Sequence, residues 1–324
     1  MQIFANFKKG ALTIKAPLVV IACLAISIAA AVYISYKMQK KELVETKRAV
    51  LKDIIEKIQT DVDETSALAV SSASILATIP KVVEAFHKQD REWIIDELKP
   101  MFLMQKKKYF VSNIQFYNPE ARTFLRLFKG GGYGELTKLE MVITANKEKI
   151  AKNGVEYGSS GLGIRGVVPI FDDSRFLGTV AISFLFKDII AKYKVLNSAE
   201  IGIFFDSKLS GGTKNTKDKM LEDNKYAEEK SNIVGDFTYG ESTSKEKIFL
   251  YINKSNLKKS SKTKIIFPTI NKEHIGIIFY PLHDFQDENI GKITVIKSFE
   301  DLHHATRHFF ERRDQQPYPT VLPG

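Results

Sequence analysis

Between Lys15 and Lys37 the chain runs for 21 residues, Ala16 to Tyr36, without a charged side chain. At helical rise this length spans the ~30 Å hydrocarbon core of a bilayer. A cleaved secretory signal would carry an apolar core of only roughly 7–15 residues and a small-residue cleavage site. Tyr33 and Tyr36 stand instead where an interfacial aromatic belt would. The expectation is an uncleaved anchor, residues 16–36, behind a cytoplasmic N-terminal tail, residues 1–15. Charge does not choose the orientation. Lys8, Lys9 and Lys15 before the run are matched or outnumbered by Lys37, Lys40, Lys41, Lys47 and Arg48 after it.

Residues 37–80 continue as a stalk. Leu43, Val50, Leu51, Ile54, Ile55, Ile58, Val62, Leu68, Val70 and Ile75 recur at helical spacings, and no Gly or Pro intervenes before Pro80. A helix leaving the membrane without a break can carry piston or rotation movements and pair with a copy of itself. It can equally lie on its own domain, and both readings hold together. Shorter helices are expected over Val82–His87 and from Asp90 to Lys106, with Pro100 kinking or dividing the second.

The pattern then changes period. Tyr109–Tyr117 and Arg122–Phe128 are rich in aromatic and β-branched residues around Asn118-Pro-Glu-Ala121, which is turn chemistry, so they form a hairpin. Alternation places Gln115 and Tyr117 on one face of the first strand. On the second strand it puts Phe124, Arg126 and Phe128 opposite Thr123, Leu125 and Leu127. Lys129–Gly134 reads as a flexible loop and Leu136–Asn153 as a helix. Four glycines follow within residues 154–163, and then strands Ile164–Phe171 and Phe176–Phe186 flank an Asp172-Asp-Ser174 turn. The order β-β-α-β-β predicts an α+β module with an antiparallel sheet.

Lys187–Val195 is a helical link to a second sheet region: Glu200–Phe205, Lys247–Tyr251, Lys264–Phe267, His274–Pro281 and Asn289–Lys297. A polar insert, Lys208–Lys230, is expected to be a mobile surface loop, and a helix over Glu300–Arg312 precedes an irregular tail. The 324 residues, with 44% hydrophobic and 27% charged side chains, suffice for two such domains. The net charge of +10 is spread along the chain rather than gathered with aromatics, so nucleic acid is not the expected partner. The single cysteine, Cys23, lies in the apolar run and permits no internal disulfide.

Gly161-Leu-Gly-Ile-Arg-Gly166 satisfies a dinucleotide-binding spacing, but a helix precedes it and a strand follows, the reverse of what phosphate at a helix N-terminus requires. The run is expected to be a tight bend presenting Arg165. Arg126 and Arg165 are the candidate ligand groups, because a guanidinium offers a planar fork matched to a carboxylate. Gln115, Tyr117, Phe124 and Tyr157 complete the predicted site. Ion pairs of these arginines with Glu135 or Glu156 are the competing structural reading. His304 and His308 at i and i+4, with His303 adjacent, lack an accompanying cysteine or carboxylate cluster, so no metal site is expected. His274 and His283 are expected to be core or surface residues. No arrangement of nucleophile, base and acid emerges, so neither catalysis nor a cofactor is expected.

At Gln115-Phe-Tyr-Asn-Pro119, Thr123-Phe-Leu-Arg-Leu127, Gly134-Glu-Leu136, Gly158-Ser-Ser-Gly-Leu-Gly-Ile-Arg-Gly-Val-Val-Pro-Ile-Phe171 and Leu177-Gly-Thr-Val180, the chain resembles the double Cache extracytoplasmic sensory domains of bacterial chemoreceptors, sensor kinases and diguanylate cyclases. The resemblance covers roughly Leu43–Phe299 in layout and is specific over residues 114–186. It implies a membrane helix, a stalk and two stacked PAS-like modules. Residues 81–197 would be the membrane-distal one, carrying the pocket, and residues 198–300 the membrane-proximal one, with residues 301–324 beyond. It further implies a single-pass protein of the bacterial inner membrane with its sensory domain in the periplasm. Such a protein would be a homodimer binding a small solute, an anionic or carboxylated one by the arginines, as the non-enzymatic input of a chemotaxis or other signalling protein. An anchored binding or interaction protein without output is the alternative.

Two departures stand out. Tyr117 occupies a position often histidine in the family, and Gly134-Glu-Leu replaces a longer acidic loop. Where a second membrane helix would begin, near residue 305, the chain has Arg307, Arg312, Arg313 and a proline-containing tail. The expectation is a truncated or frame-disrupted receptor. An apolar segment in another frame of the downstream DNA would support this, and stops in every frame would count against it.

Overall fold

The computed structural model describes residues 3–128, 133–158, 161–207, 233–234, 236–253, 257 and 262–301, with side chains from residue 19 onward. Residues 129–132 of the expected glycine loop, the insert Lys208–Lys230, and residues 302–324 with their three histidines lie outside the described residues.

The chain divides into two compact units, residues 1–50 and 51–324. The first is helical throughout from Ile3, the opening part of α1 (Ile3–Thr78). Val19, Ile21, Leu24, Ile26, Ile28 and Val32 are each more than half exposed along it. Among the described residues this is the one helix long and apolar enough to cross a membrane.

In the second unit α1 buries Leu51, Ile54, Ile55, Ile58, Val62, Ala69, Ala73 and Leu76, the spacing of one helical stripe. Pro80 ends α1 and supplies the first turn of α2 (Pro80–His87), where the missing N–H costs nothing. In α3 (Arg91–Tyr109) the Asp90 carboxylate accepts from Trp93 N at 3.0 Å and caps the N-terminus. Pro100 does not divide α3, which continues through it to Tyr109.

The first module is a five-stranded antiparallel sheet in the order β2-β1-β5-β4-β3. Its strands are β1 (Val111–Tyr117), β2 (Thr123–Arg126), β3 (Lys152–Gly158), β4 (Gly161–Asp172) and β5 (Arg175–Leu185). Between β2 and β3 lies α4 (Glu140–Glu148), shorter than the Leu136–Asn153 helix expected, because residues 152–153 already pair with β4. β3 takes up the end of the expected helix and the start of the glycine-bearing stretch, and its three polar residues and two glycines suit an edge strand paired on one side. The supposed bend Gly161–Gly166 is the start of β4, paired with β3 from Gly161 and with β5 as well from Gly163. Its glycines create space instead. A Cβ on Gly166 would lie 2.1 Å from Val70 N and 2.4 Å from Ala69 C, so the α1 backbone rests on the sheet there. Phe86 of α2 packs on Phe116 and Phe124, with ring centroids 5.6 and 4.8 Å away. Burial of such rings contributes roughly 1.5–3 kcal/mol each. Helices α1 and α2 thus cover one face and α4 the other.

α5 (Phe186–Asn197) leads to the second module, a seven-stranded sheet. Its strands are β6 (Ala199–Asp206), β7 (Ile233–Val234), β8 (Phe237–Ser242), β9 (Lys264–Ile266), β10 (Thr269–Ile270), β11 (Glu273–His283) and β12 (Asn289–Ser298). The expected strand Lys247–Tyr251 belongs to a short helix, α6 (Lys245–Tyr251). Ile248 there packs over Gly202 of β6, where only a side chain without Cβ leaves room. Tyr280 on β11 accepts from Gln59 Nε2 of α1 at 2.8 Å, and Asn153 at the start of β3 donates to Ser66 Oγ at 2.9 Å. Residues 51–59 of α1 therefore serve the second module and residues 66–70 the first.

Candidate functional site

Strand register decides which side chains share a face. On the first sheet Arg126 pairs with Gln115, and Gln115 with Ala181, which pairs with Val167. The neighbouring cross-strand row is Asn113, Ser183 and Arg165. Tyr117 follows Gln115 on the same face. Four of the six predicted residues, Gln115, Tyr117, Arg126 and Arg165, thus lie on the face covered by Met141, Val142 and Ala145 of α4, which pack against Tyr117, Val167 and Ala181.

The other two do not. The register slips between Phe116 and Tyr117 opposite β2. Phe124 turns to the helical face, where its ring meets Phe86 and the Arg91 guanidinium sits 4.4 Å from its centroid. Tyr157 alternates with Glu156 on β3 and points away from the face, its ring 4.5 Å from that of Phe205 in the second module.

Arg165 is 6% exposed. Its Nη1 donates to Glu156 O at 2.9 Å and lies 3.4 Å from Glu156 Oε2. Among the described residues those are its only hydrogen bonds, so Nε and Nη2 donate to nothing. Nη2 lies over two glycines: a Cβ on Gly163 would come within 2.7 Å of it and one on Gly158 within 3.2 Å. The glycine-rich segment clears the space that the guanidinium fills.

Glu156, equally buried, accepts from Met141 N at 2.9 Å. The residue preceding α4, Leu139, provides no side-chain cap, so a carboxylate from β3 does so. Burial pushes the Glu156 carboxyl up, against the pull of Arg165 and of the Met141 and Glu140 N–H groups. Arg126 donates to Thr123 Oγ1 at 3.2 Å and pairs with Glu135. Both ion pairs of the competing structural reading therefore exist, one for each arginine.

The Tyr117 hydroxyl donates to Gln115 Oε1 at 2.7 Å. Burial raises it to about 12, even though both arginines favour the phenolate. Asn113 Oδ1 is buried and has no partner among the described residues. An unpaired buried amide oxygen costs about 1–3 kcal/mol. Asn113 shares its cross-strand row with Arg165, their backbones about 10 Å apart at two strand spacings. Asn113 and Ser183 are not among the candidate residues the sequence offers, and Glu156 enters there only as an ion-pair partner of the arginines. Asn113 has the parity of Gln115 and Tyr117 and was legible on that ground. Ser183 is a polar residue in an apolar strand, and the place of Glu156 on this face follows from the edge strand β3.

Chemically, the face holds two guanidinium groups and two carboxylates and, among the described residues, a guanidinium edge and an amide oxygen without partners. Among the described residues no three metal-ligating side chains converge. A cleft of about 890 Å³ lies elsewhere, on the helical face between Ala77, Pro80, Val83 and Val168. Its polar rim is largely self-paired, His87 with Asp172 and Lys88 with Glu84. A smaller cavity of about 400 Å³ lies by Gln59, Gly154, Tyr280 and Phe285.

A family model described as the double sensory domain of two-component sensor kinases matches residues 48–303. No curated protein matches the sequence. Among solved structures, the chain is similar to a domain of a sensory box/GGDEF family protein from Vibrio parahaemolyticus. Identity is 11%, coverage 81% of this chain and 99% of that one, and the TM-score 0.48. It is also similar to the ligand-binding domain of the Campylobacter jejuni chemoreceptor Tlp3 in complex with 4-methylisoleucine, at 12% identity, coverage of 80% and 91%, and a TM-score of 0.42. The sensor domain of the V. cholerae histidine kinase DctB matches at 8% identity, 76% and 95% coverage, and a TM-score of 0.42.

Proposed function

The chain belongs to the double Cache sensory family of two-component sensor kinases, and from that premise we propose that it is a membrane-anchored periplasmic receptor for a small carboxylated solute. The solute binds the first module, residues 81–197, between the sheet and α4. The observation that carries this is the half-used Arg165. A buried guanidinium normally has all its donors engaged. Here, among the described residues, Nη2 over two glycines has no hydrogen-bond partner, and the Asn113 amide oxygen of the same cross-strand row has none either. A carboxylate on Arg165 and a donor group on Asn113 Oδ1 satisfy both.

Because Glu135 and Glu156 already balance the two arginines, the face is close to neutral, and a second polar group on the solute costs little. Residues 16–36 form the anchor and residues 198–300 the membrane-proximal module. The domain acts as a non-catalytic input. Ligand shifts its conformational equilibrium only by differential affinity for the two states. Exposed Leu68 and Ile75 on α1 are the apolar positions through which two copies pair as a homodimer.

A thermal-shift screen of the full chain in detergent micelles against amino acids, organic acids, purines and amines tests the reading. At least one carboxylate should raise the midpoint of the wild type and not that of Arg165→Ala. Equal stabilisation of both overturns the assignment of Arg165.

A further inference from the structure

The edge of the first sheet is tied to the second module at several points. Besides the Tyr157 and Phe205 rings, Phe285 N donates to Val155 O at 3.0 Å. The Phe285 Cβ lies 3.0 Å from where a Cβ on Gly154 would stand. A further contact is at Glu241, where β8 packs against β4 of the first module and against α5. Its carboxylate lies beside Leu162 on β4 and Lys187 in the first turn of α5. Gly161 adopts φ +92°, and a Cβ there would fall 2.6 Å from Glu241 Oε1. Glycine is what lets the carboxylate sit against the β3–β4 hairpin. One carboxyl group thus sits at the junction, against the hairpin of the first module and beside the helix that leaves it.

The ionised carboxylate is poorly satisfied at this junction. Glu241 Oε2 is buried with no partner among the described residues. The titratable and charged groups facing it are Lys187 and Asp188 on α5, Tyr157 on β3 and Tyr239 on its own strand. Lys187 and the backbone N–H groups of Leu162 and Lys187 favour the charge, whereas burial and Asp188 oppose it. Burial is the largest influence, and the carboxyl is raised.

We propose that Glu241 makes the junction between the two modules acid-responsive, holding the first module more firmly on the second when protonated than when ionised. This is independent of what the first module binds. The sign follows from linkage. A group raised in the closed junction binds its proton more tightly closed than open, so closure is strongest below the open-state value. It weakens as pH rises from the ordinary glutamate range through the raised one, and above both the weakening is complete. A periplasmic sensor with this junction has its resting balance set by external acidity.

Hydrogen exchange of the full chain in detergent micelles, corrected for intrinsic rates, tests this on peptides covering residues 161–164 and 186–190 between pH 5 and 8. Wild-type protection should fall with rising pH, tenfold for each unit by which closure raises the carboxyl. Glu241→Gln should hold the acid level of protection at every pH. Asp188→Asn should keep the transition but move it to lower pH, since a like charge is gone. Glu156→Gln, which removes the other buried carboxyl, should leave it in place. Flat wild-type protection overturns the proposal, as does an unaltered pH dependence in Glu241→Gln. Were that variant not to fold, an unmoved transition in Asp188→Asn would do the same.

Discussion

One methyl group placed at Gly163 separates the role of Arg165 from the stability of the sheet. The φ of Gly163 lies outside the left-handed region, so alanine is tolerated by the backbone. The new Cβ would stand 2.7 Å from Nη2, 2.8 Å from Cζ and 2.9 Å from Nη1 of Arg165. Ordinary contact is about 3.5 Å, so the guanidinium must withdraw by roughly 0.7 Å. Retreat of that size stretches the 2.9 Å bond from Nη1 to Glu156 O beyond useful length.

Losing one charge-assisted bond costs about 1.5–3 kcal/mol, while replacing glycine in a strand returns roughly 0.5–1 kcal/mol. The net is a loss of about 1–2 kcal/mol, which in a domain of this size lowers the midpoint by roughly 2–8 °C. Solute binding should suffer more. A carboxylate held by the free edge of the guanidinium depends on its position, and affinity should fall at least about tenfold, or 1.4 kcal/mol. Differential scanning fluorimetry with and without the solute identified by screening reads both quantities. A Gly163→Ala protein that keeps its full ligand-induced shift would refute the placement of the ligand on Arg165.

Gly166→Ala meets backbone on α1 rather than a yielding side chain, and should destabilise by about 1–3 kcal/mol or more; an unchanged midpoint would show that helix and sheet are not in contact there. Tyr117→Phe removes the bond to Gln115 and should cost about 1 kcal/mol near neutrality. Because Tyr117 is raised from 10.0 to about 12, its neutral form supports the fold fully below pH 10. That support fades as pH climbs towards 12, by roughly 3 kcal/mol at most. Urea titrations at pH 9 and 11 should therefore show the wild type losing stability relative to Tyr117→Phe. Leu68→Lys with Ile75→Lys should shift the sedimentation of the detergent-solubilised chain from dimer to monomer, since both side chains are at least half exposed on the single chain, and should make its melting midpoint independent of protein concentration.

The features most legible in the sequence were those written in long apolar periods. The Ala16–Tyr36 run, the stripe from Leu51 to Ile58 and the strands on either side of Asp172–Ser174 all emerged where expected, because a buried stripe repeats over many residues. Short and polar elements did not. β3 carries Lys152, Asn153 and Glu156 among two glycines, and an edge strand tethered by one neighbour needs little apolar surface. Lys247–Tyr251 alternates like a strand, yet a single turn of helix over Gly202 buries Ile248 better. Within the site, alternation along β1 correctly grouped Gln115 with Tyr117. The register slip that sends Phe124 to the opposite face is a pairing property that no local pattern on β2 records. Glycines 158, 163 and 166 were visible as a cluster, but their use as clearance for a guanidinium and a helix depends on what packs above them.

The most direct measurement is a crystal structure of the protein with the strongest stabiliser from the solute screen. A carboxylate oxygen within hydrogen-bond reach of Arg165 Nη2, with a donor of the same solute on Asn113 Oδ1, is the predicted result. A solute bound in the cleft beside His87 and Asp172, with the Arg165 edge still unused, would contradict it.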